Sequence, residues 1–252
     1  MNAVLEPIRL LTGASAAYAV RTASTPDELY GAQRLRYQVF NVELKEGLAA
    51  SDATGLDVDP FDNVCDHLIV EHLPTATIVG TYRMQSGPSA QSNIGYYSEQ
   101  EFDFAPFESI RPQLIELGRA CVHHDHRNLI VLSLLWKGIA RYAINHDARY
   151  LCGCSSVTSQ DPAMGASVYS ELCRRHLVAV PWRTLPLPAF DCPLDNLCEE
   201  TPKVPKLLRA YLSLGARICG PPALDRQFKT IDFLTLLDIH ALPQLFRERL
   251  LA

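Results

Sequence analysis

The chain has 252 residues, 48% of them hydrophobic and 20% charged, with a formal net charge of −5. That length and balance suit a single soluble domain with a substantial core, and the negative net charge argues against a nucleic-acid binder. No run of about 18 apolar residues marks a membrane span, and the first residues lack the basic-then-apolar pattern of a secretory signal, so a cytoplasmic protein is expected.

Residues 1–17 read as a loosely ordered lead-in to one domain over 18–252. Tyr18–Thr22 has the pattern of a short strand. Thr25 offers an N-cap and Pro26 a first-turn residue for a helix reaching Phe40. Residues 41–64 are acidic, contain Gly and Pro, and read as an active-site loop. Asp66–Glu71 and Thr77–Gln85 alternate as paired strands do. A variable stretch leads to a strand over Leu114–Val122. The helix expected over Leu129–Asn145 has its polar face at Ser133, Lys137, Arg141 and Asn145. Tyr150–Val157 reads as a buried strand and Asp161–His176 as a helix. A proline-rich segment over 181–205 precedes a helix at Val204–Leu214, a strand at Phe228–Leu234 and a short amphipathic helix in the tail from about 240. This mixed order predicts an α+β single domain.

Charge is unevenly spread. Residues 119–183 hold eight Lys/Arg against four Asp/Glu, a local +4, and the remainder holds 15 basic and 24 acidic residues. Between Asn41 and Asp66 stand seven acids (Glu43, Glu46, Asp52, Asp57, Asp59, Asp62 and Asp66) with Lys45 alone against them. An acidic pocket suits a cationic small molecule, and a basic patch suits an acidic partner. The eight cysteines read as reduced, buried thiols, including Cys152 and Cys154, which lack CxxC spacing.

GxGxxG, P-loop and GxSxG patterns are absent, and no His is followed five positions later by Asp. On an extended chain His123 and Asp125 face one way and His124 and His126 the other, too few ligands on either side for a catalytic zinc. No metal and no bound cofactor is therefore expected.

Leu114–Val122, a polar loop ending in Arg127, and the helix from Leu129 form a strand–loop–helix N-terminus, an anion-binding layout. In order along the chain come Arg36-Tyr-Gln-Val-Phe40, Asp57-Val-Asp59-Pro-Phe-Asp62-Asn, Gly80-Thr-Tyr-Arg83 and Glu116-Leu-Gly-Arg119. This set resembles the acyl-homoserine lactone synthases, and with Asp66-His67, His123…Arg127 and the tail Leu207–Gly215…Asp232-Phe233 it is more similar still to the ornithine lipid N-acyltransferases. The resemblance covers about residues 18–238. It implies a GCN5-related N-acetyltransferase fold, with a mixed central sheet flanked by helices.

It also implies active-site roles for Arg36, Phe40, Asp57, Asp59, Asp62, Arg83, Glu116 and Arg119. The Asp57 position is usually Glu in the lactone synthases. Glu116 is the candidate base, or else an ion-pair partner of Arg119 if a bulge lets the two meet. Backbone N–H groups near Ala120, Cys121 and Val122 are candidates for the oxyanion, Arg127 for the donor's phosphopantetheine, and Tyr169 for protonating the leaving thiolate or for core packing. The three aspartates would hold the acceptor's amines, with Arg36 or Arg83 on its carboxylate. Arg127 is followed by Asn128-Leu-Ile-Val-Leu132 without glycine, a poor pyrophosphate cradle. That favours acyl carrier protein as donor, docked by Arg127, Lys137, Arg141, Arg174 and Arg175. The expected product is a lyso-aminolipid, the first step of ornithine lipid biosynthesis. A lactone or N-acyl amino acid synthase, or a non-catalytic carrier-protein binder, stays open. The tail Leu242–Leu251 either rests on a membrane surface or packs on the domain.

Overall fold

The computed structural model describes residues 8–9, 17–199 and 203–242. Most of the lead-in and the tail expected to be an amphipathic helix lie outside the described residues. Ile8–Arg9 (β1) pairs antiparallel with Tyr18–Thr22 (β2). Asp66–His72 (β3), Thr77–Ser86 (β4) and Leu114–Val122 (β5) follow antiparallel. Tyr150–Val157 (β6) then runs parallel to β5, and Thr230–Asp238 (β9) lies antiparallel to β6. Arg217–Ile218 (β7) and Ala223–Asp225 (β8) pair with β9. The result is the mixed sheet with flanking helices expected of the α+β class. The last strand starts two residues later than expected, because Phe228 and Lys229 belong to the turn between β8 and β9.

Local chemistry sets the helix starts. Thr25 Oγ1 accepts from the Glu28 N–H, and the Glu28 carboxylate accepts from the Thr25 N–H, a closed capping box with Pro26 behind it. The α-helix Pro26–Tyr37 (α1) then widens into a π turn over Gln38–Glu43, so it ends earlier than the expected Phe40. Gly87–Ser92 (α2) sits in the variable stretch. Leu129–Asn145 (α3) and Pro162–His176 (α4) are capped by Asn128 and Asp161, and Lys206–Ser213 (α5) closes the set.

The apolar stripe of α3, including Val131, Leu134, Leu135 and Ile139, packs on Leu68, Val70, Tyr82 and Met84 of β3 and β4. Each large apolar side chain fully buried there contributes about 1.5–3 kcal/mol, enough to fix the register of helix on sheet. Arg83 and Gln85 alternate with Tyr82 and Met84 and so point to the other face of β4. The stretch expected to be variable is part of the core: Tyr96, Phe102, Phe104, Phe107 and Ile110 bury against Leu114 and Leu234. All eight cysteines are free thiols.

Candidate active site

Two irregularities in β5 create the site. Thr81 pairs with Cys121 but Arg83 with Gly118, so β5 carries one extra residue there, and Arg119 takes the left-handed φ of 50°. β5 and β6 pair only at Leu114–Tyr150, Ile115–Leu151 and Glu116–Cys152 and then part. At the last close approach before they part stands Gly153, whose φ is +158° and where a β-carbon would stand 2.1 Å from the Leu117 carbonyl oxygen, so only glycine fits. Between the diverging strands opens a cavity of about 630 Å3, lined by Leu117–Val122 on one side and Gly153–Ser156 on the other. Trp136, Tyr211, Leu151 and Leu237 make part of its wall apolar, and Arg83, Arg119, Glu46, Glu116 and Asp232 make part of it charged.

The bulge aims Arg119 at the acidic loop. Its Nε lies 3.2 Å from Asp57 Oδ1 and its Nη2 2.8 Å from Asp59 Oδ2, with the guanidinium 4.8 Å from the Tyr97 ring centre and 4.5 Å from that of Phe228. Arg83 Nη1 bonds Asp59 Oδ1 at 2.6 Å and Asp62 Oδ1 at 3.0 Å. Arg36, 0% exposed, places Nε 2.7 Å from Asp57 and Nη2 2.6 Å from Asp62. Burial alone would raise the carboxyls of Asp59 and Asp62. Arg83 and Arg119 beside the first, and Arg36 and Arg83 beside the second, outweigh it and hold both below the usual carboxylate range.

This closed network of three arginines and three aspartates corrects the expectation that Asp57, Asp59 and Asp62 hold acceptor amines. Their charges are already answered by arginines, and none of the three lines the cavity. Arg36 is likewise unable to bind a carboxylate, since it is wholly buried and committed. Arg83 and Arg119 do reach the cavity wall, as does Phe40, whose ring packs 5.4 Å from that of Phe228.

Glu116 and Arg119 do not pair, although the bulge exists. The Glu116 carboxylate instead accepts from the N–H groups of Tyr97 and Ser98, both at 2.7 Å, and from Ser98 Oγ at 2.5 Å. It therefore caps the turn Tyr97–Gln100 and holds it against the sheet. Burial raises its pKa despite those hydrogen bonds.

Ala120, Cys121 and Val122 line the cavity along the bulged strand. Arg127 stands at its rim, making a two-pronged ion pair with Glu43 at 2.5 and 2.7 Å and donating from Nε to the Val122 carbonyl. The anion-binding layout needs correction: Asn128 Oδ1 already accepts from the N–H groups of Ile130 and Val131, each at 3.0 Å. The helix end thus carries its own acceptor. Tyr169 does not line the cavity and packs beside Val168 and Leu172 instead. The phenols on the cavity wall are Tyr82, Tyr97 and Tyr211, and burial pushes Tyr82 up to about 12. The strand-alternation argument against a metal also fails, because His124–His126 is a 3-10 turn. It brings ligand atoms of His123, His124 and Asp125 within 4.8 Å of one another at an exposed position.

Sequence reasoning missed several wall residues. Asp232 appeared only within the tail motif and Glu46 only as one acid among seven, while Ser98, Tyr97 and Gln85 carried no local signal. Cys154, read as core, faces the cavity, with Sγ 3.4 Å from Ser98 Oγ and 3.6 Å from Glu101 Oε2. Among the described residues no helix is long and apolar enough to cross a membrane.

Residues 35–137 match the acetyltransferase (GNAT) domain family. The L-ornithine N(alpha)-acyltransferase of Agrobacterium fabrum is 33% identical over 237 residues, covering 88% of this chain and 81% of that relative. The enzyme of the same name from Rhodobacter capsulatus is 30% identical over 253 residues, covering 94% and 96%. Among solved structures, the AHL synthase LasI superposes with a TM-score of 0.51 at 12% identity, covering 90% of this chain and 93% of its own. FeeM, an N-acyl amino acid synthase from uncultured soil microbes, gives 0.51 at 15% identity, covering 89% and 92%. At such identities the two structures speak for the fold alone.

Proposed function

The chain belongs to the L-ornithine N(alpha)-acyltransferase family, and on that ground we propose that it moves a 3-hydroxyacyl chain from acyl carrier protein to the α-amine of ornithine. The product is a lyso-aminolipid, the first intermediate of ornithine lipid synthesis. The observation that carries this reading is the cavity itself, opened by an interrupted sheet, apolar along one part for an acyl chain and charged along another for an amino acid.

In the proposed reaction the neutral amine attacks the thioester carbon, the carbon–sulfur bond breaks, and the thiolate takes up the proton the amine gives away. Glu116 is the candidate base: it lies on the cavity wall with a raised pKa, and a carboxyl raised in this way takes a proton more readily than an ordinary one. Arg83 and Arg119 are cations of the wall that are paired with the aspartate network yet border the cavity, where the acceptor's carboxylate would share them with that network. At the rim, Arg127 and Lys206 stand beside the exposed Leu132 and Leu207. That mixture of positive charge and apolar surface fits an acidic carrier protein delivering a fatty acyl group. The self-capped end of α3 and its missing glycines support a donor with one phosphate over one with a pyrophosphate.

The test is to incubate the chain with 3-hydroxyacyl carrier protein, or the matching acyl-CoA, and a panel of amino acids, and to identify products by mass spectrometry. Nα-acyl-ornithine is expected. No N-acyl product from any amine overturns the function, and equal rates with acyl-CoA overturn the choice of donor. Glu116→Gln is expected to cut kcat by at least about tenfold, and an unchanged kcat removes it as the base.

A further inference from the structure

Asp232 and Glu46 on the cavity wall, and Glu101 buried behind Asp232 and Cys154, are acids that no cation among the described residues answers. Asp232 lies on β9, Glu101 just after the Tyr97–Gln100 turn, and Glu46 beyond the π turn. Asp232 is 4% exposed and Glu101 1%, and neither Asp232 Oδ1 nor Glu101 Oε1 has a hydrogen-bond partner. Their ligand atoms and Cys154 Sγ all lie within 4.8 Å of one another. Asp232 and Glu46 both line the cavity, and Glu46 Oε2 accepts from Thr158 Oγ1 at 2.7 Å. Among the described residues none of the three acids forms an ion pair with Lys, Arg or His. Of the cationic wall residues, Arg83 and Arg119 are paired with the aspartate network and Arg127 with Glu43.

We propose that Asp232 and Glu101, with Glu46 close by, form the subsite for the side-chain ammonium of a diamino-acid acceptor. The proposal rests on the reading of ornithine as acceptor and deepens it. Two buried carboxyls facing one another cannot both ionise cheaply without a cation. Burial and the neighbouring acids raise both carboxyls above their ordinary range, and the one hydrogen bond the two carboxyls share brings them no positive charge. An ammonium brings one positive charge and three N–H donors, matching the unanswered oxygens. An amino acid with an apolar side chain of equal length leaves those acids buried and unpaired, and is rejected for that reason.

The test compares ornithine with norvaline, which lacks only the side-chain amine, in steady-state acylation by the full chain, alongside Asp232→Asn and Glu101→Gln. Ornithine is expected to have a KM at least about tenfold below that of norvaline in the wild type. Each substitution is expected to raise the ornithine KM by about tenfold or more, to leave the norvaline KM within about twofold, and to change kcat less than KM. Neither is expected to lower Tm, since each replaces a carboxyl buried against another carboxyl without a cation. Equal use of norvaline by the wild type overturns the subsite, as does an ornithine preference retained in both variants. A lower Tm in both assigns the acids to the fold and overturns it too, and a preference lost after EDTA treatment assigns the cluster to a metal. Absence of any acyl-ornithine from the wild type overturns instead the function on which the proposal rests.

Discussion

Arg36→Met separates a scaffolding role for the acidic loop from a substrate-binding one. Arg36 is 0% exposed, donates to Asp62 through Nη1 at 3.0 Å and Nη2 at 2.6 Å, holds Asp57 Oδ1 at 2.7 Å through Nε, and donates from Nη2 to the Asp57 carbonyl. Methionine keeps much of the apolar stem but strands two buried carboxylates, with Gln33, Arg83 and Arg119 left to answer them. Breaking a buried pair in this way costs about 3–5 kcal/mol, a large share of the roughly 5–15 kcal/mol that stabilises a domain. Urea denaturation followed by far-UV circular dichroism measures it. Adding Asp62→Asn is expected to recover at least about 1 kcal/mol, because one stranded charge is then gone. The pH response shifts as well. Asp62 has a depressed folded pKa, so its contribution is present above its unfolded pKa and is lost as pH falls towards the folded one. Arg36→Met flattens that acid limb. A loss below about 1 kcal/mol, accompanied by a raised ornithine KM, refutes the reasoning and returns the aspartates to substrate binding.

Three further outcomes follow from the geometry. Gly153→Ala places a β-carbon 2.1 Å from the Leu117 carbonyl at a left-handed φ, and is expected to cost about 1–3 kcal/mol, read as a lower Tm. Asn128→Ala uncaps α3 and is expected to cost about 1 kcal/mol while leaving the donor KM unchanged, and an altered donor KM would place the phosphate at that helix end. Asp232 has a raised folded pKa of about 6, so the native state keeps a proton that the unfolded chain releases. Stability from this group is therefore present below its unfolded pKa of about 4 and falls as pH rises through the raised folded value. Urea midpoints measured between pH 4 and 8 check this, and Asp232→Asn removes the slope.

Much of the scaffold was legible because its signals are local. Thr25 with Glu28, Asn128 before an apolar stripe, and Asp161 before Pro162 announce helix starts by themselves. The limits of β5 and β6 follow from alternation and apolar content. The side-chain partners were not legible, because they depend on contacts between residues far apart in the chain. Asp57 meets Arg119 across 62 positions, and Glu116 meets Ser98 rather than the nearby Arg119. Sequence showed a concentration of acids in 41–66 but not which had arginines to face. The acids left unanswered come mostly from elsewhere: Glu101 lies in a stretch without pattern, and Asp232 in a strand that otherwise reads as core.

The three residue pairs joining β5 to β6 have a mechanical meaning. Among the described residues they are the strand pairs between the β1–β5 half of the sheet and the half formed by β6 with its partners, extended by one backbone hydrogen bond from Arg149 to Gln113, whereas β6 and β9 share eight. The sheet is therefore two stiff plates meeting at a short seam, with the cavity as the open angle between them. Any spreading force from a long chain lodged in that angle concentrates on Leu114–Glu116 and Tyr150–Cys152. The fold thus places its narrowest structural joint beside the cavity, and under the proposed function the room for an acyl chain would depend on how far that joint yields.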